Sequence, residues 1–127
     1  MIKLTKQDLL STLWIFTLIN VLFADIFGFM LPGSLAEVMS GNVDGINITV
    51  FFMFIAAIVN EIPIIMVVLS KILKRKVNRI LNIVIGIFTI VYIVGGGSGN
   101  IVYYFFATVE VLTLLSIITI AYKWKED

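Results

Sequence analysis

The chain has 127 residues, 61% hydrophobic and only 13% charged, with a mean hydropathy of +1.12, whereas a soluble domain carries about a quarter charged residues. An ordinary globular interior is thereby excluded, and one all-α integral membrane domain is expected. Cysteine and histidine are absent, so thiolate, iron–sulfur, bis-histidine haem and histidine–zinc chemistry fall away, no cofactor or metal is expected, and carboxylates remain as the tunable acid–base groups.

After a short start carrying Lys3 and Lys6, the apolar run Leu9 to Leu31 is long enough, at about 1.5 Å per residue, to cross a core of about 30 Å. A cleaved signal peptide is the rival reading. The run exceeds an h-region of about 7 to 15 residues and no A-x-A site follows it, so a first span is expected. Pro32-Gly33 closes the span, and a polar loop to Gly45 carries Ser34, Glu37, Ser40, Asn42 and Asp44 but no basic residue. A short interfacial helix is expected at Ser34 to Met39, capped by its serine.

The second span is read from Ile46 to Leu69, interrupted by Asn60, Glu61 and Pro63. Pro63 lacks an amide proton and frees the carbonyl of Val59, which predicts a kink. Lys71, Lys74, Arg75, Lys76 and Arg79 fill the next connection. The third span runs from Ile80 to about Gly95 and ends in the uncharged turn Gly95-Gly96-Gly97-Ser98-Gly99, and the last runs from Ile101 to Tyr122 before Lys123, Trp124 and Lys125. Tyr103, Tyr104 and Trp124 match the aromatic preference for the headgroup level.

All nine lysines and arginines lie in the two tails and the connection between spans two and three. Under the positive-inside rule this predicts a four-helix bundle with both termini cytoplasmic, in the cell membrane, and argues against dual topology. The basic connection is read as a topogenic signal before an anionic-lipid site. No nucleic-acid partner is expected. The lipid bilayer is the expected surrounding, and a second copy of the chain is a candidate partner because so small a bundle offers little lumen.

Helical phase groups the inward candidates. Trp14, Val21, Asp25 and Gly28 share a stripe on the first span, from which Asn20 points away; Asn78, Asn82, Gly86, Thr89 and Ile93 share one on the third; Tyr103, Ala107, Glu110, Leu114 and Ile117 share one on the last. These stripes hold the small and polar residues and are expected to face the interior. Spans two and four each place an aromatic cluster ahead of a glutamate, a weak hint of two related hairpins.

Glu61, Glu110 and Asp25 carry the chemistry. A carboxylate within a span costs roughly 2.5 to 3.5 kcal/mol on insertion scales, and no intramembrane lysine, arginine or histidine pairs with these. Glu61 and Glu110 differ by only about 6 Å in depth on the helical rise, with Asn20 between them, so a shared pocket is expected and at least one of the two should be protonated near neutrality. In the functional reading the acids line a cavity that binds or transports a proton, a cation or a small lipophilic ligand, with Glu61 as the proton-linked acid and Glu110 as its partner, Asn20 and Asn60 as amide partners and Trp14 and Tyr103 as stacking surfaces. The structural alternative has them hydrogen-bonding across helices. A third class is an enzyme such as a double-bond isomerase, trading a proton between two carboxyls.

Leu13-Trp14, Ala24-Asp25-Ile26, Pro32-Gly33, Glu61-Ile62-Pro63, Asn78-Arg79 with Asn82, and Tyr103-Tyr104-Phe105-Phe106-Ala107 with Glu110 resemble a family of small four-helix bacterial membrane proteins, domain of unknown function six-three-two-six. The resemblance covers nearly the whole chain and implies a single bundle, with no activity to carry over. DoxX-type and sterol-isomerase bundles are similar by architecture alone. Small multidrug transporters share four spans and a membrane glutamate, but theirs lies in the first helix, where this chain has Asp25.

Overall fold

The computed structural model describes residues 4–96 and 99–125. Lys3 and the Gly97-Ser98 part of the glycine turn lie outside the described residues. Four long helices, α1 (Lys6–Met30), α3 (Val50–Ile72), α4 (Arg75–Gly95) and α5 (Ile101–Lys123), are each long and apolar enough to cross a membrane. Between the first two lie a one-turn helix α2 (Ser34–Met39) and a hairpin of β1 (Asn42–Val43) and β2 (Ile46–Asn47).

Local chemistry sets the helix starts. Thr5, Thr49 and Asn100 accept hydrogen bonds from the amides of Asp8, Phe52 and Tyr103 at 3.1, 3.0 and 2.7 Å, satisfying donors that a helix N-terminus leaves free. The second span therefore starts at Val50 and not at Ile46. Ile46 is taken by β2, because Asp44 and Gly45 both adopt positive φ, 50° and 81°, the requirement of a two-residue type I′ hairpin. The interfacial helix falls where expected, but Gly33, not Ser34, is its N-cap and no side chain caps it. Helix α3 runs through Pro63 without interruption, and Pro63 is buried.

The long helices pack in the cyclic order α1, α3, α4, α5, each touching the next, with the α3–α4 seam the least extensive. Short connections alternate their directions, so one end gathers Lys6, Lys71, Lys74, Arg75, Lys76, Arg79, Lys123 and Lys125 and is here termed the basic end; α2 and the hairpin lie at the opposite, loop end. The surface of the spans is mostly apolar, with Phe51, Phe54, Val84, Val91, Leu112 and many others exposed. The interior, by contrast, holds Ser11, Thr17, Ser70, Asn78, Asn82, Thr89, Glu110 and Thr113 alongside Leu10, Trp14, Met66, Ile93, Leu114, Ile117 and Trp124. Such an arrangement suits a lipid solvent, where small and polar side chains hold helices together.

At α4 and α5 the backbones come close. A Cβ on Gly86 would stand 2.8 Å from Ile118 Cγ1, so glycine is what this seam accommodates. Toward the basic end, Trp14 of α1 reaches across the bundle centre and its Nε1 donates to Asn82 Oδ1 at 2.7 Å. Ser70 Oγ donates to the same oxygen at 3.4 Å, the Asn82 amide donates to the Asn78 carbonyl and Oδ1, and the Asn78 amide donates to the carbonyls of Ser70 and Leu73. One buried polar network thus joins α1, α3 and α4. Arg79 donates to the carbonyls of Ala121 and Tyr122, and Arg75 twice to that of Trp124, covering the acceptors that end α5.

Candidate functional site

The loop-end half of the bundle encloses a cavity of about 330 Å³, open on one side, to which all four long helices contribute. From α1 come Val21, Ala24 and Asp25, from α3 Asn60, from α4 Val91, Tyr92 and Ile93, and from α5 Tyr103 and Glu110. The volume falls at the lower end of the range for small-molecule sites, about 300 to 1,000 Å³.

Glu110 stands near the middle of α5 and closes the cavity's inner end, with Leu114 and Ile117 buried on the same face one and two turns on. Its side chain is buried, at 4% exposure, and its Oε2 is fully enclosed without a hydrogen-bond partner among the described residues. A buried carboxyl oxygen left unsatisfied is costly in an apolar medium. The buried threonines nearby do not serve it: Thr89 and Thr113 donate to the carbonyls of Ile85 and Val109 in their own helices, the usual bond of a helical threonine.

Asp25 lies at the exposed side of the same cavity. Tyr103, half-buried, donates its hydroxyl to the carbonyl of Ile93 and so fixes its ring in the cavity wall between α4 and α5. Asn60 donates to the carbonyl of Ala56 at 2.7 Å and to the Tyr92 hydroxyl at 3.4 Å, bridging the α3–α4 seam beside the cavity. Among the described residues, no lysine or arginine lines the cavity. Its walls combine two acids, an amide and two phenols with aliphatic surface, an arrangement that draws positive charge.

Four of the seven sequence candidates, Asp25, Asn60, Tyr103 and Glu110, meet in this cavity. Glu61, Asn20 and Trp14 do not. Pro63, Met66 and Ser70 form the buried stripe of α3, and Glu61, two residues before Pro63, points about 200° away from it and is exposed on the outer surface. The shared pocket expected for Glu61 and Glu110 is therefore a pocket of Asp25 and Glu110. The likeness of spans two and four ends there too, since one glutamate faces outward and the other inward. Asn20 donates to the Phe16 carbonyl in its own helix at 2.9 Å. Trp14 is fully buried in the basic-end network and offers no ring to the cavity, and Trp124 is a core residue at 7% exposure, unlike the exposed Tyr104 and Tyr122. Tyr92 was missed by sequence reasoning; it lies on α4 one position from the buried Ile93, and only the crossing of α3 brings Asn60 to its hydroxyl.

The model of the family described as "Family of unknown function (DUF6326)" matches residues 2–127, and the chain belongs to that family. No curated protein and no solved structure matches the chain.

Proposed function

We propose that this family member binds a small organic cation with an apolar body in the loop-end cavity, with Glu110 as the counter-charge at its inner end and Asp25 at its mouth. The observation that carries this reading is the enclosed, unpartnered Oε2 of Glu110 facing a cavity that holds a second acid and no base. An ammonium group supplies the missing partner of that oxygen. The rings of Tyr92 and Tyr103 can take the cation on their faces, while Val21, Ala24 and Val91 accept the apolar body. Under the positive-inside rule the basic end is cytoplasmic, so the cavity opens toward the outer half of the cell membrane and admits ligand from that side or from the outer leaflet.

Benzyldimethylammonium, whose N–H can donate to Glu110 Oε2, and its uncharged isostere isobutylbenzene test the reading by calorimetry on the protein in nanodiscs. The cation should bind and the neutral compound should not. Glu110→Gln should weaken binding about 10- to 100-fold, in keeping with about 1.5 to 3 kcal/mol for a charged hydrogen bond. Asp25→Asn should weaken it less, and Glu61→Gln should leave it unchanged. Equal affinity in Glu110→Gln would refute the proposal.

A further inference from the structure

Glu61 is the midpoint of α3, about 16 Å from either end on the helical rise, too far for a glutamate to reach a membrane surface. It is exposed, and its neighbours on the same face, Phe54, Ala57, Ile58, Ile65 and Val68, are all apolar and all exposed. None of the side-chain hydrogen bonds or ion pairs among the described residues involves the Glu61 carboxyl, and the cavity does not include it. A carboxyl in the centre of a lipid-facing stripe has no water and no internal partner, and intramembrane acids almost always face protein or a cavity.

We infer that the Glu61 face of α3 is covered by a second copy of this chain, in a two-fold dimer in which Glu61 meets Glu61 of the other copy. The inference is independent of what the cavity binds. The occupant follows from complementarity. Gathering the described basic residues at one end gives each copy the same orientation, so a two-fold axis runs along the membrane normal and brings equal depths together. A carboxyl at mid-depth then finds an identical carboxyl, and carboxyl groups are self-complementary, pairing hydroxyl donor to carbonyl acceptor. An unrelated partner would have to supply a polar group at that one depth; a second copy carries it by construction. Ala57, one turn from Glu61, lets the two backbones approach. The same face holds no basic residue or second acid between Val50 and Ser70, so nothing within the stripe competes for Glu61.

The chain contains no cysteine, so single cysteines report contacts without background. Phe54→Cys, Ala57→Cys, Ile65→Cys and Val68→Cys, each in the full chain in liposomes, should form disulfide dimers on mild oxidation. Leu112→Cys and Leu115→Cys on α5, across the bundle, should stay monomeric. Mixing Phe54→Cys with Val68→Cys chains should give no cross-linked heterodimer, because those depths differ. By single-molecule photobleaching, Glu61→Leu should weaken dimerisation about tenfold, and Glu61→Gln, whose amide is also donor and acceptor, should hold it near the parent value. Circular dichroism of both variants should match the parent and confirms that they fold. A parent protein that remains monomeric, cross-links that favour α5, or a Glu61→Leu variant that dimerises as well as the parent would each overturn the inference.

Discussion

Replacing Asn82 with leucine tests whether the buried network at the basic end fastens the bundle. Leucine has the same number and branching of side-chain heavy atoms, so the main loss is one of hydrogen bonds. Trp14, Asn82 and Asn78 are each at 0% exposure. The substitution leaves the Trp14 indole N–H, now bonded at 2.7 Å, and Asn78 Oδ1, now bonded at 2.6 Å, without these partners. Ser70 loses only a 3.4 Å contact and can turn its hydroxyl to a carbonyl in its own helix. Two orphans at about 1 to 3 kcal/mol each, tempered by the roughly 0.6 to 1.7 kcal/mol measured for interhelical bonds in lipid, give about 2 to 3 kcal/mol. Steric trapping in bicelles measures this unfolding free energy. Trp14→Phe removes the donor instead of the acceptor and should cost about 1 kcal/mol, because Asn82 Oδ1 keeps Ser70. The double variant should cost less than the two together, by about 1 kcal/mol. Strict additivity, or an Asn82→Leu protein as stable as the parent, would refute the reasoning.

Other positions give sharp expectations. Gly86→Ala should destabilise by about 1 to 3 kcal/mol through overpacking at the α4–α5 seam, and adding Ile118→Ala, which removes the clashing atoms, should recover part of the loss in the same trapping assay. Arg79→Ala should fray the last turn of α5, raising hydrogen exchange there and costing about 1 to 2 kcal/mol; Arg79→Lys should not restore protection, since an ammonium lacks the fork that spans the carbonyls of Ala121 and Tyr122.

Much of this was legible in the residues. The stripe from Asn78 through Asn82, Gly86 and Thr89 to Ile93 is the set of residues that α4 buries, because polar and small side chains stand out against an apolar helix. The same contrast located the Glu110, Leu114 and Ile117 face of α5. It failed on α3, where the inward residues are Pro63, Met66 and Ser70 and the most polar residue, Glu61, faces out. Depth alone suggested a pair with Glu110; azimuth denied it. The Asp44-Gly45 dipeptide carried a hairpin signal that hydropathy masked, drawing the second span back to Ile46. Arg75 and Arg79 read as orienting charges, and their bonds to the end of α5 depend on a helix meeting distant in sequence. The partnership of Trp14 with Asn82 likewise exists only once α1 and α4 face each other across the bundle.

The central claim is that Glu110 and Asp25 together receive a cation, and carbodiimide protection resolved by peptide tests it most directly. Dicyclohexylcarbodiimide modifies carboxyls in apolar surroundings, so its rate can be read separately at Asp25, Glu61 and Glu110 in the liposome-embedded protein. Saturating benzyldimethylammonium should slow modification at Glu110 and Asp25 and leave Glu61 unaffected, while isobutylbenzene should slow none of them. An unchanged rate at Glu110 in the presence of the cation would contradict the account.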